Sequence, residues 1–216
     1  DAEPLMRECL ELKGKAFGAE DPETLKALGN YAVILCSLGR HEEAEPLERE
    51  RLQVSRIALG SEHPDTLFAL SNYATTLHKL GRYEEAEPLM RECLELKRKA
   101  LGPENPETLK TLGSYAVTLM DLGRIGEAEP LAKERLEISR ESLGPEHPCT
   151  LVALGNYAVI LWSRGHLGEA ETLERERLEI SREALGREHP DTLSALSSYA
   201  ATLHKLGRFG DAEPLQ

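Results

Sequence analysis

Three of the seven histidines, His63, His147 and His189, stand directly before a proline, at spacings that are multiples of 42 residues. Imidazoles, four cysteines and 38 acidic residues are the groups that hold metals, pass protons or supply nucleophiles. Their spacing argues against all three uses. A zinc or redox centre needs ligands a few positions apart, and the chain has no HExxH, no CxxC and no closely spaced His/Cys set. Nor does it contain a P-loop, a GxGxxG or a GxSxG. Catalysis requires unlike groups to converge on one point, whereas here the same groups are carried along at a fixed interval. The sequence therefore reads as no enzyme, with no metal and no cofactor, and the three histidines read as caps that begin helices.

The interval points to the elements beneath. Pro22, Pro64, Pro106, Pro148 and Pro190 recur every 42 residues, as do Tyr31, Tyr73, Tyr115, Tyr157 and Tyr199, and the glycines and alanines that begin at Gly39 and Ala44. A fixed period of this length dictates a repeat architecture. In residues 63–104, Leu67, Leu70, Tyr73, Ala74, Leu77 and Leu80 fall at three- and four-residue steps, which predicts a helix from Pro64 to a stop at Gly81. A second helix is predicted from Tyr83 to Gly102, burying Ala86, Leu89, Met90, Cys93, Leu96 and Ala100. Pro88 lies about one turn inside it and should remove one backbone bond or bend it; Pro46, Pro130 and Pro214 repeat the feature. Full units follow at 18–59, 60–101, 102–143 and 144–185, with 1–17 a second-type helix alone and 186–216 a unit truncated in its second helix. No polar capping repeat stands at either end, so a fragment of a longer array, or an array whose ends pair, is expected. Near-copies such as EPLMRECLELK at 3–13 and 87–97 read as recent tandem duplication.

Composition sets the class. Hydrophobic residues make up 40% of the 216, mostly Leu and Ala, with 5% aromatics, which favours helices. The formal net charge of −12 repels a phosphate backbone, so no nucleic-acid partner is expected. No apolar run approaches the ~20 residues of a membrane span, and the first residues lack a signal-peptide pattern. Cys9, Cys36, Cys93 and Cys149 form no short-spaced pair, which fits a reducing, cytoplasmic location without disulfides.

The pattern LGxEHPDTLxALxNYAxxLxxLGRxEEAEPL resembles the tetratricopeptide repeats of kinesin light chains, and the similar 42-residue arrays of many NACHT- or NB-ARC-type signalling ATPases. The resemblance covers essentially the whole chain. It implies an all-α fold, a right-handed superhelical α-solenoid of helix-turn-helix repeats, and a non-enzymatic scaffold that binds a peptide or protein segment along a concave groove. Two other roles stay open: a structural component of a larger assembly or filament, by end-to-end or lateral self-association, and the sensor array of a signalling ATPase.

In that family the first helix of each repeat lines the groove, and an Asn there can bond a peptide backbone. By resemblance these are Asn30, Asn72 and Asn156, with Ser114 and Ser198 in the remaining repeats. The amides could equally serve neighbouring loops or helices. The same projection places Lys26, Gly29, Val33, Cys36 and Ser37 in the groove, then Phe68, Ser71, Thr75, His78 and Lys79. It continues with Lys110, Val117, Met120 and Asp121, then Val152, Val159 and Trp162, then Ser194, Ala201, His204 and Lys205. Cys36, His78, Met120, Trp162 and His204 share one helical position, so one row changes its chemistry at each repeat. Trp162, the one tryptophan, is the leading candidate for a partner contact, with packing against an adjacent helix as the alternative. The charged runs ERER at 48–51 and 174–177, and AKER at 132–135, read as solvated faces, with lateral self-association through complementary charge as the alternative.

Overall fold

A side chain that accepts the N–H two residues on, followed by a proline at the first helical position, starts every first-type helix. In the computed structural model, which describes residues 2–212, Nδ1 of His63 accepts from the Asp65 N–H at 3.2 Å and opens α4 (Pro64–Lys79). His147 and His189 do the same for α8 (Pro148–Ser163) and α10 (Pro190–Lys205), at 3.1 and 3.2 Å. Asp21 and Asn105 take that place for α2 (Pro22–Ser37) and α6 (Pro106–Asp121), each at 2.9 Å. The histidines are caps, as their position before proline predicts. Replacing His63 by Ala should cost about 1 kcal/mol, a melting-point drop of about 2–4 °C; His63→Asn should hold the parent value in the same circular-dichroism melt.

At the far end, Gly81 takes φ 74° and its N–H donates to the His78 carbonyl at 2.9 Å, while the Arg82 N–H donates to Leu77 at 3.0 Å. These bonds satisfy carbonyls that a helix end leaves bare, in a conformation that costs glycine little. The second-type helices follow: α3 (His41–Leu59), α5 (Tyr83–Leu101), α7 (Ile125–Leu143) and α9 (Leu167–Leu185), with α1 (Ala2–Phe17) before them and the short α11 (Phe209–Ala212) after. Pro46, Pro88 and Pro130 lie inside α3, α5 and α7, and each helix continues through its proline at the loss of one backbone bond. Pro214 lies outside the described residues.

The helices gather into two compact units, Asp1–Leu101 and Gly102–Gln216. In the first, α1 to α5 pack each on the next in chain order; in the second, α6 to α11 do the same, and α6 also meets α8. Alanines with no exposed surface, Ala32 and Ala44 in the first unit and Ala170 in the second, let backbones approach closely. Leucines, joined by Cys93 and Ile180, fill the rest: Leu52 and Leu70 with Leu89 and Leu96, and Leu136, Leu151 and Leu154 with Leu173. Each leucine that is fully buried contributes about 1.5–3 kcal/mol. The cysteines form no disulfide with one another.

The recurring tyrosines stitch one helix pair to the next. Tyr31 donates to Glu3 at 2.9 Å, Tyr73 to Glu45 at 3.2 Å and Tyr199 to Glu171 at 3.1 Å. An arginine nine residues after each tyrosine reaches the same carboxylate: Arg40 to Glu3 at 3.7 Å, Arg82 to Glu45 at 3.5 Å, Arg208 to Glu171 at 3.7 Å. Burial first, and the adjacent carboxylate with it, push these phenols above their ordinary pKa, so they remain donors.

Candidate functional site

Because α2 and α4 present successive turns to one side, the side chains expected to line a groove fall on exposed surface in the first unit. Lys26, Asn30, Val33, Phe68, Thr75 and Lys79 are exposed, while Cys36, Asn72 and His78 are half-buried. Lys26, Asn30 and Phe68 come together with Leu25, Ser55, Leu59, Glu23, Asp65 and Arg51 around a cavity of about 380 Å³. Several predicted residues already have local work. Cys36 Sγ lies 3.5 Å from Thr76 Oγ1, Thr75 donates to the Ser71 carbonyl at 2.8 Å, and the His78 ring packs on Tyr83 at 5.2 Å.

In the second unit Lys110, Val152, Val159, Trp162, His204 and Lys205 are exposed and Val117, Met120 and Asn156 are half-buried. Trp162 is 42% exposed. With Val159, Glu174, Ser198, Ala201 and Thr202 it lines a cavity of about 170 Å³, and Lys205 Nζ lies 5.4 Å from its ring centroid. A cation over the indole face is worth about 0.5–1 kcal/mol at an exposed site. His204 rests edge-on against Phe209 at 5.0 Å. The variable row is thus mixed, with Trp162 open beside a cavity and the two histidines packed against the ring that begins the following helix.

The charged runs are where the sequence reading fails. Glu48 is 1% exposed and Arg51 6%, Glu174 is 4% exposed, and Arg135 is buried as well. Only Arg49, Glu50, Lys133 and Arg175 among these runs stand in solvent. The physical reason is a glycine one helix earlier. A Cβ at Gly29 would lie 2.5 Å from Cζ of Arg51, one at Gly113 2.6 Å from Cζ of Arg135, and one at Gly155 3.1 Å from Cζ of Arg177. Each arginine head occupies the space that a side chain would take. The repeat whose second helix has Cys93 at that position carries Ser71 in place of the glycine. This pairing at a constant offset of 22 residues was available in the sequence as its signal.

Burial governs the electrostatics there. Desolvation pushes the Glu48 carboxyl up to about 7, against the pull of Arg51 and of the Asn72 amide beside it. Glu174 is pushed to about 7 in the same way, opposed by Arg177. Burial lowers Arg51 from its ordinary value, with Glu48 and Asp65 opposing. Asn72, expected as a peptide clamp, therefore also faces Glu48. Asn30 opens onto the cavity instead.

Two tetratricopeptide repeat models match, one over residues 49–99, 65–138 and 107–183 and the other over residues 24–65. The chain belongs to the tetratricopeptide repeat family. As such it is a protein-interaction scaffold of helix-turn-helix repeats, an all-α solenoid fold. Among solved structures it is similar to a kinesin-light-chain-like protein from Podosopora anserina with nearly identical TPR-like repeats, at 25% identity and TM-score 0.80, over 90% of this chain and 92% of that one. BtubC (BKLC) from P. vanneervenii matches at TM-score 0.82 and 20% identity, over 98% and 85%, and shares the fold. So does MamA from Desulfovibrio magneticus RS-1, at TM-score 0.63 and 12% identity, over 88% and 90%. No curated protein matches the sequence. Among the described residues, no helix of this tetratricopeptide repeat chain is long and apolar enough to cross a membrane.

Proposed function

We propose that the chain holds an extended segment of a partner protein along the first-helix faces. The observation that carries this is apolar exposure on those faces. Val33, Phe68, Val152, Val159 and Trp162 are each between 42% and 48% exposed, although every neighbouring leucine of the same helices is buried for packing. Large apolar side chains kept in water at groove positions are what a partner buries. Asn30 and Asn156 offer a donor and an acceptor to a peptide unit beside them, and the net charge of −12 keeps nucleic acid away.

Trp162→Ala is the test. With a partner recovered by the full-length protein and then purified, binding should weaken at least about 30-fold, as for a central aromatic anchor. The melting temperature should hold within a few degrees, because the indole is not core. Unchanged affinity, or a collapse of the melting temperature, would remove Trp162 from the groove and the reading with it.

A further inference from the structure

The first turn of α8 carries no acidic residue. Directly after the proline that begins a first-type helix, the other repeats have Glu23, Asp65, Glu107 and Asp191, and this one has Cys149. An acid at that place suits the positive end of the helix, and in two repeats it also serves a buried arginine. Asp65 lines a cavity with Arg51 and supports its charge, and Asp191 lines one of about 250 Å³ with Arg177. A second carboxylate, Glu48 or Glu174, acts on each of these arginines from one turn before it.

Arg135 stands at the same register with neither. Ala132 replaces the glutamate and Cys149 the aspartate. The Arg135 side chain is 6% exposed, its head fills the space beside Gly113, and its Nε has no acceptor among the described residues. Burial lowers Arg135 from its ordinary value, and the group that opposes this is the Cys149 sulfur. A buried cation without a counter-charge is costly. Two positive features, the end of α8 and the Arg135 guanidinium, thus favour negative charge at the position of Cys149, which is half-buried and within reach of solvent.

We propose that Cys149 is an oxidation site, at which hydrogen peroxide makes the sulfinate, and that the sulfinate supplies the anion this repeat lacks at the start of α8 and opposite Arg135. The sulfur attacks one peroxide oxygen; an S–O bond forms, the O–O bond breaks, and sulfur gives up two electrons. The thiol proton leaves with the other oxygen as water, which gives the sulfenic acid. A second peroxide repeats the step to the sulfinic acid, which releases its proton to solvent. Its two oxygens on one atom beyond Cβ match an aspartate in shape and charge. None of this depends on a partner in the groove.

The full chain, briefly exposed to hydrogen peroxide, is digested and read by mass spectrometry. Cys149 should gain two oxygen atoms at least about fivefold faster than Cys9 and Cys36, which are also half-buried but lie away from helix starts. Arg135→Met, folded by circular dichroism, should lower that preference at least about twofold. Cys149→Asp carries the charge permanently, and its melting temperature should exceed that of Cys149→Ser by about 2–4 °C, a gain that shrinks when Arg135→Met is added. Even oxidation of the three cysteines, or an aspartate no more stabilising than serine, overturns the proposal, and neither readout requires Arg135→Met to fold. A gain that survives Arg135→Met in full would place it at the helix end alone and overturn the pairing with Arg135.

Discussion

Glu48→Gln should be more stable than the parent at pH 8 and no more stable at pH 4.5. In the folded chain the Glu48 carboxyl is pushed to about 7 by burial, against about 4.3 in an unfolded chain. Between those values the folded state holds more protons, so this group lowers stability as pH rises from about 4.5 to about 7, and the loss persists above. The shift amounts to about 4 kcal/mol, reduced by whatever Arg51 loses when its neighbour is neutral, so a gain of about 1–3 kcal/mol at pH 8 is expected. Glu174→Gln should behave alike, since its carboxyl is pushed to the same region for the same reason. Exposed carboxylates such as Glu43, Glu85 and Glu127 are shifted down by hydrogen bonds from Arg40, Arg82 and Arg124 and act with the opposite sign. The readout is therefore the difference between variant and parent in urea titrations at pH 4.5, 6 and 8. Equal stability at all three would mean that Glu48 is solvated.

The second large effect lies in the packing. Leu154→Ala removes a side chain with no exposed surface from the cluster of Leu136, Leu151 and Tyr157. A cost of about 2–5 kcal/mol is expected, because neighbours close only part of the hole. Val159→Ala, further along the same helix on its exposed side, should stay within about 0.5 kcal/mol. In a repeat array, stability is a sum over units and their contacts, so amide exchange should quicken first in α8 and α9. Equal losses for the two variants would contradict the division of α8 into a packed and an open face.

Much of this was legible before any coordinates. Pro64 after His63, and Gly81 after a run of three- and four-residue steps, place α4 to within a residue or two, because capping and positive φ are local demands. Trp162 and Phe68 were legible as open positions only through the family's geometry, since periodicity alone does not separate a face turned to a groove from one turned to a neighbour. Arg51 was misread for a different reason. Four alternating charges in a row look solvated, and the space that takes the guanidinium is made by a missing side chain on another helix. Only when Gly29, Gly113 and Gly155 are set against Arg51, Arg135 and Arg177 does the chain disclose it.

The central claim is that a partner segment lies on the first-helix faces. Photo-crosslinking tests it most directly, with a benzophenone amino acid placed in the full-length protein at Val159 and, separately, at Arg175 on the exposed side of α9. The account predicts a crosslinked partner from Val159 and none from Arg175. The same partner captured from Arg175 and not from Val159 would contradict it.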